Sequence, residues 1–239
     1  MTEATPAPAE AASGDDFRDR HIRSFGTRRG HMTAGQRDAF ERLSPTLTLP
    51  FTHTPLDLAQ VFDNTQPVTL EIGCGMGETT ASIAAAHPER NYLGLEVYPA
   101  GVGSLLGRIE SAGLQNVRVI SHDAVEVLQY MIRPGTLAAT HIYFPDPWHK
   151  KRHHKRRLIQ PAFIALLVSR LAPGGLVHCA TDWVAYAEQM LEVLSAEPGL
   201  ENTVDGYLPR PDFRPMTKFE KRGLALGHEV RDLIFKRLG

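Results

Sequence analysis

The chain predicts an α/β fold: a mostly parallel sheet with helices on both faces and an antiparallel C-terminal strand. Three observations carry that prediction. β-prone runs alternate with helically spaced ones from Pro67 to Leu194. A glycine-rich turn, Gly73-Cys74-Gly75-Met76-Gly77, joins the first such strand to the first such helix. An acid falls at or just after each of five expected strand ends. Strand–helix–strand crossovers repeated this often imply a parallel sheet covered on both sides.

Residues 1–17 are rich in Ala, Pro, Glu and Asp with almost no apolar bulk, so this acidic leader is expected to be disordered. Residues 18–55 form a basic arm, carrying Arg18, Arg20, Arg23, Arg28 and Arg29, and a short helix over 36–43. Such an arm is either a solvated tail or a segment that orders on nucleic acid. Prolines at 45, 50 and 55 mark a loop, after which residues 56–239 form the main domain.

In that domain 68–72 reads as a strand, 73–77 as the turn and 78–86 as a helix. This order gathers backbone N–H groups and the positive end of a helix dipole at one point, and the glycines let a ligand come close. Residues 91–97 form the second strand, and 99–112 a helix weakened by Gly101, Gly103 and Gly107. Residues 117–121 form the third strand, with Asp123 placed to N-cap the next helix. Residues 137–144 are the fourth strand, 157–171 a helix with one apolar face, 176–181 the fifth strand and 184–194 another amphipathic helix. Prolines at 209, 211 and 215 break up the stretch from 207 to 223, and 229–238 alternates well enough for a last strand.

Ligands of such a sheet lie beyond the carboxyl ends of its strands. Glu71, Glu96, Asp123, Asp146 and Asp182 all fall there. Glu71 precedes Gly73 by two residues, where a carboxylate would repel a pyrophosphate but suit a cationic ligand. The glycine spacing is GxGxG, without the third glycine of GxGxxG. Both details count against an NAD-dependent dehydrogenase. Glu96, nineteen residues after Gly77, suits the two hydroxyls of a ribose.

Residues 141–157 combine two chemistries. Asp146 is held between Pro145 and Pro147, which stiffen the backbone on either side of it. Beyond Trp148 the chain becomes strongly cationic, with Lys150, Lys151, Arg152, Lys155, Arg156 and Arg157 around His149, His153 and His154. A rigid acid beside a cationic run reads as a pocket joined to a polyanion-binding surface. The overall charge hides this: 26 Lys and Arg against 27 Asp and Glu give a net charge of −1, and local patches matter more than the net for recognising a polyanion.

The remaining composition excludes other classes. Cys74 and Cys179 lie far apart, which argues against a disulfide framework and a structural zinc site. The N-terminus lacks an apolar signal region and no apolar run approaches about eighteen residues, so no membrane span is indicated and a cytoplasmic enzyme fits. The five acids sit on separate strands and the His-rich run is dominated by Arg and Lys, so no metal is expected.

The segments EIGCGMG, LGLEVY, HDAVEVL, FPDPWHKKRHHKRR, ATDW and TKFEKRG, in this order, resemble the bacterial tRNA (guanine-N7-)-methyltransferases over residues 18–239. The resemblance implies a Rossmann-like methyltransferase fold and transfer of a methyl group from S-adenosyl-L-methionine to N7 of a guanine in the tRNA variable loop. It places Glu71, Glu96, Asp123 and Asp146 at the cofactor with the glycine turn (Gly73, Gly75, Gly77), and makes Asp146 the catalytic position. Lys150, Asp182, Thr217, Lys218, Phe219 and Glu220 match substrate positions, and Arg152, His153, His154, Lys155, Arg156 and Arg157 the RNA-contacting segment. The partner is tRNA, and the state a monomer or homodimer. Two rivals stand beside this reading: a methyltransferase acting at another RNA position, and a non-catalytic RNA-binding protein on the same fold. The second predicts a damaged glycine turn or missing strand-end acids, and the chain has neither.

Overall fold

A computed structural model of the chain describes residues 23–26, 31–225, 227 and 229–239, the side chains of Lys218 and Phe219 excepted. The leader and most of the basic arm therefore lie outside the described residues, as do the side chains of those two expected substrate positions.

One seven-stranded sheet organises the rest. Its strands are β1 (Val68–Ile72), β2 (Asn91–Leu95), β3 (Val117–Ile120), β4 (Leu137–Tyr143), β5 (Leu171–Thr181), β6 (Leu200–Asn202) and β7 (Arg231–Arg237), in the order β3-β2-β1-β4-β5-β7-β6. Strands β1 to β5 pair in parallel, and β7 runs antiparallel between β5 and β6. Every residue of β1 and β2 is buried, the pattern of a parallel sheet covered on both faces. The helices are α1 (Ala34–Leu47), α2 (Leu58–Phe62), α3 (Glu78–Ala86), α4 (Pro99–Ser111), α5 (Ala124–Glu126, continued by a wider turn over Val127–Met131), α6 (Pro161–Arg170), α7 (Val184–Ala196) and α8 (Lys218–Ala225). One face of the sheet packs Leu70, Leu93, Ile142 and Val177 with Phe62, Leu128, Ile164 and Met190; the other packs Tyr92, Val117 and Val119 with Ile83, Leu105 and Ile109.

Several elements differ from the sequence reading for clear local reasons. Helix α1 starts at Ala34, where Thr33 and Gln36 form a reciprocal capping box, and runs through Pro45 to Leu47. Helix α6 begins at Pro161 rather than at 157. Gln160, the residue before that proline, is extended (φ −134°, ψ 155°), as pre-proline sterics favour. Strand β5 starts at Leu171, so Pro173-Gly174-Gly175 lies inside its range, where the pairing with β4 shifts register. Strand β6 was not expected at all.

The glycines of α4 are not a weakness. A Cβ on Gly101 would stand 2.5 Å from Gly75 O, and one on Gly103 would stand 2.3 Å from Gln36 O. Their absence lets α4 lie against the glycine turn on one side and α1 on the other. The turn that feeds the site is thereby clamped from behind.

Candidate active site

The strand order reverses direction between β1 and β4, and in open α/β sheets this is where a crevice forms. A cavity of about 650 Å³ opens there, lined among others by Gly73, Gly75, Glu96, Tyr143, Asp146 and Asp182. Glu71, Gly77 and Asp123 lie just outside that lining. Of the five acids expected at one rim, Glu96, Asp146 and Asp182 line the space, and Glu71 and Asp123 are not part of its lining.

Each is set by its backbone. Gly73, Gly75 and Gly77 have φ of 76°, 55° and 74°, the left-handed region in which a side chain is strained. The glycine turn brings Gly75 N to 2.7 Å from Glu96 Oε2, while Tyr98 N donates to Glu96 Oε1 at 2.9 Å. The Glu96 carboxylate is therefore pinned by one N–H on each oxygen. Asp123 caps α5, accepting from Val125 N and Glu126 N through Oδ1. Glu71 is 3% exposed and its Oε2 is buried with no hydrogen-bond partner. Burial pushes its carboxyl up to about 7, because the charged form loses its hydration.

Asp146 is exposed at the cavity edge. It lies between two bulky residues in left-handed conformations, Phe144 at φ 50° and Trp148 at φ 46°. Such conformations persist only where the surroundings enforce them. Here Phe144 N bonds Ala180 O at 2.8 Å, and Trp148 Nε1 donates to Ser24 O at 2.8 Å while the Arg156 guanidinium lies 3.7 Å from its ring centroid. Trp148 is thus a packing residue that holds the N-terminal segment.

The basic run folds as a tight turn over Lys151–Arg156, and it divides by direction. Lys150, Lys151, Arg152 and Lys155 are exposed, and His153 and His154 half-buried. Arg156 turns back, donating to Arg23 O at 3.2 Å and Phe25 O at 2.9 Å. Arg157, expected on the RNA-contacting surface, is 3% exposed. Its guanidinium donates to Pro147 O and Gln189 Oε1 and lies 4.8 Å from the Tyr186 ring centroid. In this structure the side chain points into the fold and braces the Asp146 turn through Pro147 O.

The 217–220 segment also differs from expectation. Glu220 N donates to Thr217 Oγ1 at 3.0 Å and Thr217 N donates to Glu220 Oε2 at 3.3 Å, a capping box that starts α8. Glu220 is 2% exposed and both its oxygens accept from Arg214. This carboxylate builds the helix start and has little left to offer a ligand. The T-x-x-E spacing announces such a start, so the signal was present in the sequence.

Other cavity residues escaped the sequence reading. Ser24, Phe25 and Gly26 line it from the N-terminal side, and Arg222 and Gly223 from α8. His122 lines it as well, stacked on Phe51 with ring centroids 3.7 Å apart and 2.7 Å from Glu126 Oε2. Among the described residues no group of three or more His, Cys, Asp or Glu side chains is arranged to hold a metal ion, and no helix is long and apolar enough to cross a membrane.

Comparison with known proteins agrees with this geometry. A family model described as "Putative methyltransferase" matches residues 65–233. The tRNA (guanine-N(7)-)-methyltransferase of Bordetella pertussis is 62% identical, the match covering 99% of this chain and 92% of that protein. The chain belongs to the tRNA (guanine-N7-)-methyltransferase family. Its relative of the same name in Paraburkholderia xenovorans is 56% identical over 99% of this chain and 91% of its own. Among solved structures, the 16S rRNA methyltransferase KamB superposes with a TM-score of 0.57 at 15% identity, covering 77% of this chain and 95% of its own. TrmN of Thermus thermophilus gives 0.52 at 16% identity, over 76% and 47%. These likenesses show that the methyltransferase fold extends well beyond the family.

Proposed function

We propose that this tRNA (guanine-N7-)-methyltransferase acts on a guanine in the tRNA variable loop, in the cytoplasm, with Asp146 as its catalytic carboxylate. The observation that carries the reading is one cavity on which the glycine turn, Glu96, Asp146 and Asp182 converge, with the cationic turn of 151–156 immediately downstream of Asp146.

The site suits S-adenosylmethionine. Gly73 has open space where a Cβ would be, Glu71 keeps a buried oxygen without a partner, and Glu96 presents two oxygens already fixed by backbone N–H groups. Glu96 would accept from the ribose hydroxyls, and a cationic ligand would favour the charged form of Glu71, whose carboxyl is otherwise held at about 7 by burial. When bound, the cofactor supplies an electrophilic methyl group on a sulfonium.

Guanine N7 carries a lone pair and no proton, so this chain needs no strong general base. Its task is to position the acceptor and to stabilise the positive charge that spreads over the purine as N7 is alkylated. Asp146, on its two-proline turn, is suited to both. Asp182, at the end of β5, is suited to accept from guanine N1–H and N2–H₂. Lys150, Arg152 and Lys155 face solvent and would neutralise tRNA phosphates, a contact that positions without reading sequence.

The test is incubation with unmodified tRNA and methyl-labelled cofactor, then digestion, identification of the nucleoside, and mapping by cleavage at 7-methylguanine. Label in 7-methylguanosine from the variable loop is expected. Label in another nucleoside or another loop would redirect the reading to a different RNA position.

A further inference from the structure

A buried polar cluster beside the cavity has no part in the chemistry above. Arg214 is fully buried, and its guanidinium is shared between two carboxylates. Nε and NH2 donate to Asp232 Oδ1 and Oδ2 at 2.7 and 2.8 Å; NH1 and NH2 donate to Glu220 Oε2 and Oε1 at 2.7 and 3.1 Å. His178 continues the cluster, with Nε2 2.7 Å from Asp232 Oδ1 and Nδ1 2.9 Å from the Tyr143 hydroxyl. Asp232 accepts only, so His178 donates from Nε2, and the Tyr143 hydroxyl donates to Nδ1. Burial pushes the Asp232 carboxyl upward, but the hydrogen bonds from His178 and Arg214 outweigh it and hold it below its ordinary range. Burial likewise keeps the His178 imidazole below its ordinary value.

The cluster joins two segments that contribute to the cavity lining. Tyr143 ends β4, and the Arg214 guanidinium lies 5.8 Å from its ring centroid and 5.7 Å from that of Phe144, the left-handed residue that opens the Asp146 turn. Glu220 stands in the first turn of α8, whose Arg222 and Gly223 also line the cavity. A buried ion triad is a poor way to gain stability, since desolvation offsets most of the attraction and apolar replacements often do as well. What a planar guanidinium gives, and an apolar side chain does not, is a fixed mutual geometry for the two groups it forks between.

We propose that Arg214 is a positioning residue of the methyl transfer, holding the start of α8 in register with the Asp146 turn so that the acceptor guanine is seated, while the cofactor subsite stands independently of it. The proposal rests on the function argued above. The full-length chain and its Arg214→Lys variant, which keeps the charge and loses the fork, would be compared by tRNA methylation kinetics, isothermal titration with S-adenosylmethionine, and hydrogen exchange of the 218–225 amides. Arg214→Lys should lose about 100-fold in kcat, the order expected for an ångström-scale misplacement. Cofactor affinity should stay within about twofold, and exchange in α8 should quicken. Glu220→Gln preserves the capping box and weakens the same ion pair, so it carries the test if Arg214→Lys does not fold. Where both fold, the double variant should be no slower than Arg214→Lys alone, because the two residues act as one unit. Unchanged kcat, cofactor affinity falling in step with kcat, or fully multiplicative losses would each overturn the proposal. A wild-type chain that makes no 7-methylguanine would sink the functional reading and this proposal with it; an active wild type beside an equally active Arg214→Lys would sink the proposal alone.

Discussion

Asp146 is placed by neighbours that give up their preferred backbone conformations. Phe144 and Trp148 both sit at positive φ, a cost on the order of 1–3 kcal/mol for each, and Arg157 braces the same turn through Pro147 O at 2.8 Å. Strain kept at a strand end beside a cavity is expected where a carboxylate must stay put. Asp146→Ala should therefore lose about 100-fold or more in kcat, the size of loss typical for one preorganised electrostatic group. tRNA affinity, measured by titration, should hold, and any loss of cofactor affinity should be much smaller than the loss in kcat. Near-normal methylation by that variant would remove Asp146 from the chemistry. The acid was legible in the sequence because prolines flank it and a strand precedes it. The inward turns of Arg157 and Glu220 were not, since residue type reports charge but not the direction a side chain takes.

Elements show the same division between pattern and context. Strand β1 and helix α3 match their expected ranges because apolar runs and the glycine turn bound them locally. Strand β6 is three residues long and, among the described residues, lies at the sheet edge beside β7, so no local pattern marks it. Helix α4 supplies a contrast of sign. Gly107→Ala places a Cβ 3.6 Å from Ala39 Cβ, an ordinary contact, so the helix-propensity gain of about 1 kcal/mol relative to glycine should show as a slightly higher Tm. Gly103→Ala meets Gln36 O at 2.3 Å, and overpacking of about 1–3 kcal/mol should outweigh the same gain and lower Tm. Calorimetry of the two variants checks both signs, and a stabilising Gly103→Ala would show that α1 moves aside freely.

Glu71 in β1 ties the stability of the sheet to pH. Burial raises its folded pKa to about 7 from 4.5, so the folded chain keeps this proton after the unfolded chain has released it. Stability from this group is present below about pH 4.5 and lost as pH climbs through 7, by roughly 3 kcal/mol in all. His141 works oppositely: burial lowers its imidazole to about 3, so its protonation in the unfolded chain destabilises the fold as pH falls below its ordinary value. The difference between wild type and Glu71→Gln isolates the carboxyl. Without cofactor, the variant's Tm should gain on wild type between pH 5 and 8, by on the order of 5–10 °C. A constant difference across that range would place the Glu71 proton elsewhere.

At the scale of the whole molecule, a nearly neutral protein that acts on tRNA concentrates cations locally, and the fold gives those of the 150–157 run two settings. Arg152 and Lys155 face solvent on the turn after Asp146. Arg156 instead holds the backbone carbonyls of Arg23 and Phe25, and Ser24, Phe25 and Gly26 line the cavity. The run of like charges hid this split in the sequence, where all three residues read as one RNA-binding patch. Replacing Arg152 and Lys155 with Ala should weaken tRNA binding and reduce the slope of log K against log salt by about 1–2, since each phosphate contact contributes somewhat less than one to that slope. Cofactor affinity should be unchanged. Arg156→Ala should release the 23–26 segment from the cavity wall, so its larger effect should fall on S-adenosylmethionine affinity, with a smaller change in salt slope. Titrations of tRNA at several salt concentrations, and of cofactor at one, separate the two. If Arg156→Ala flattened the salt slope as much as the paired substitution and left cofactor affinity intact, its carbonyl contacts would be incidental and the surface would again be a single phosphate-binding patch.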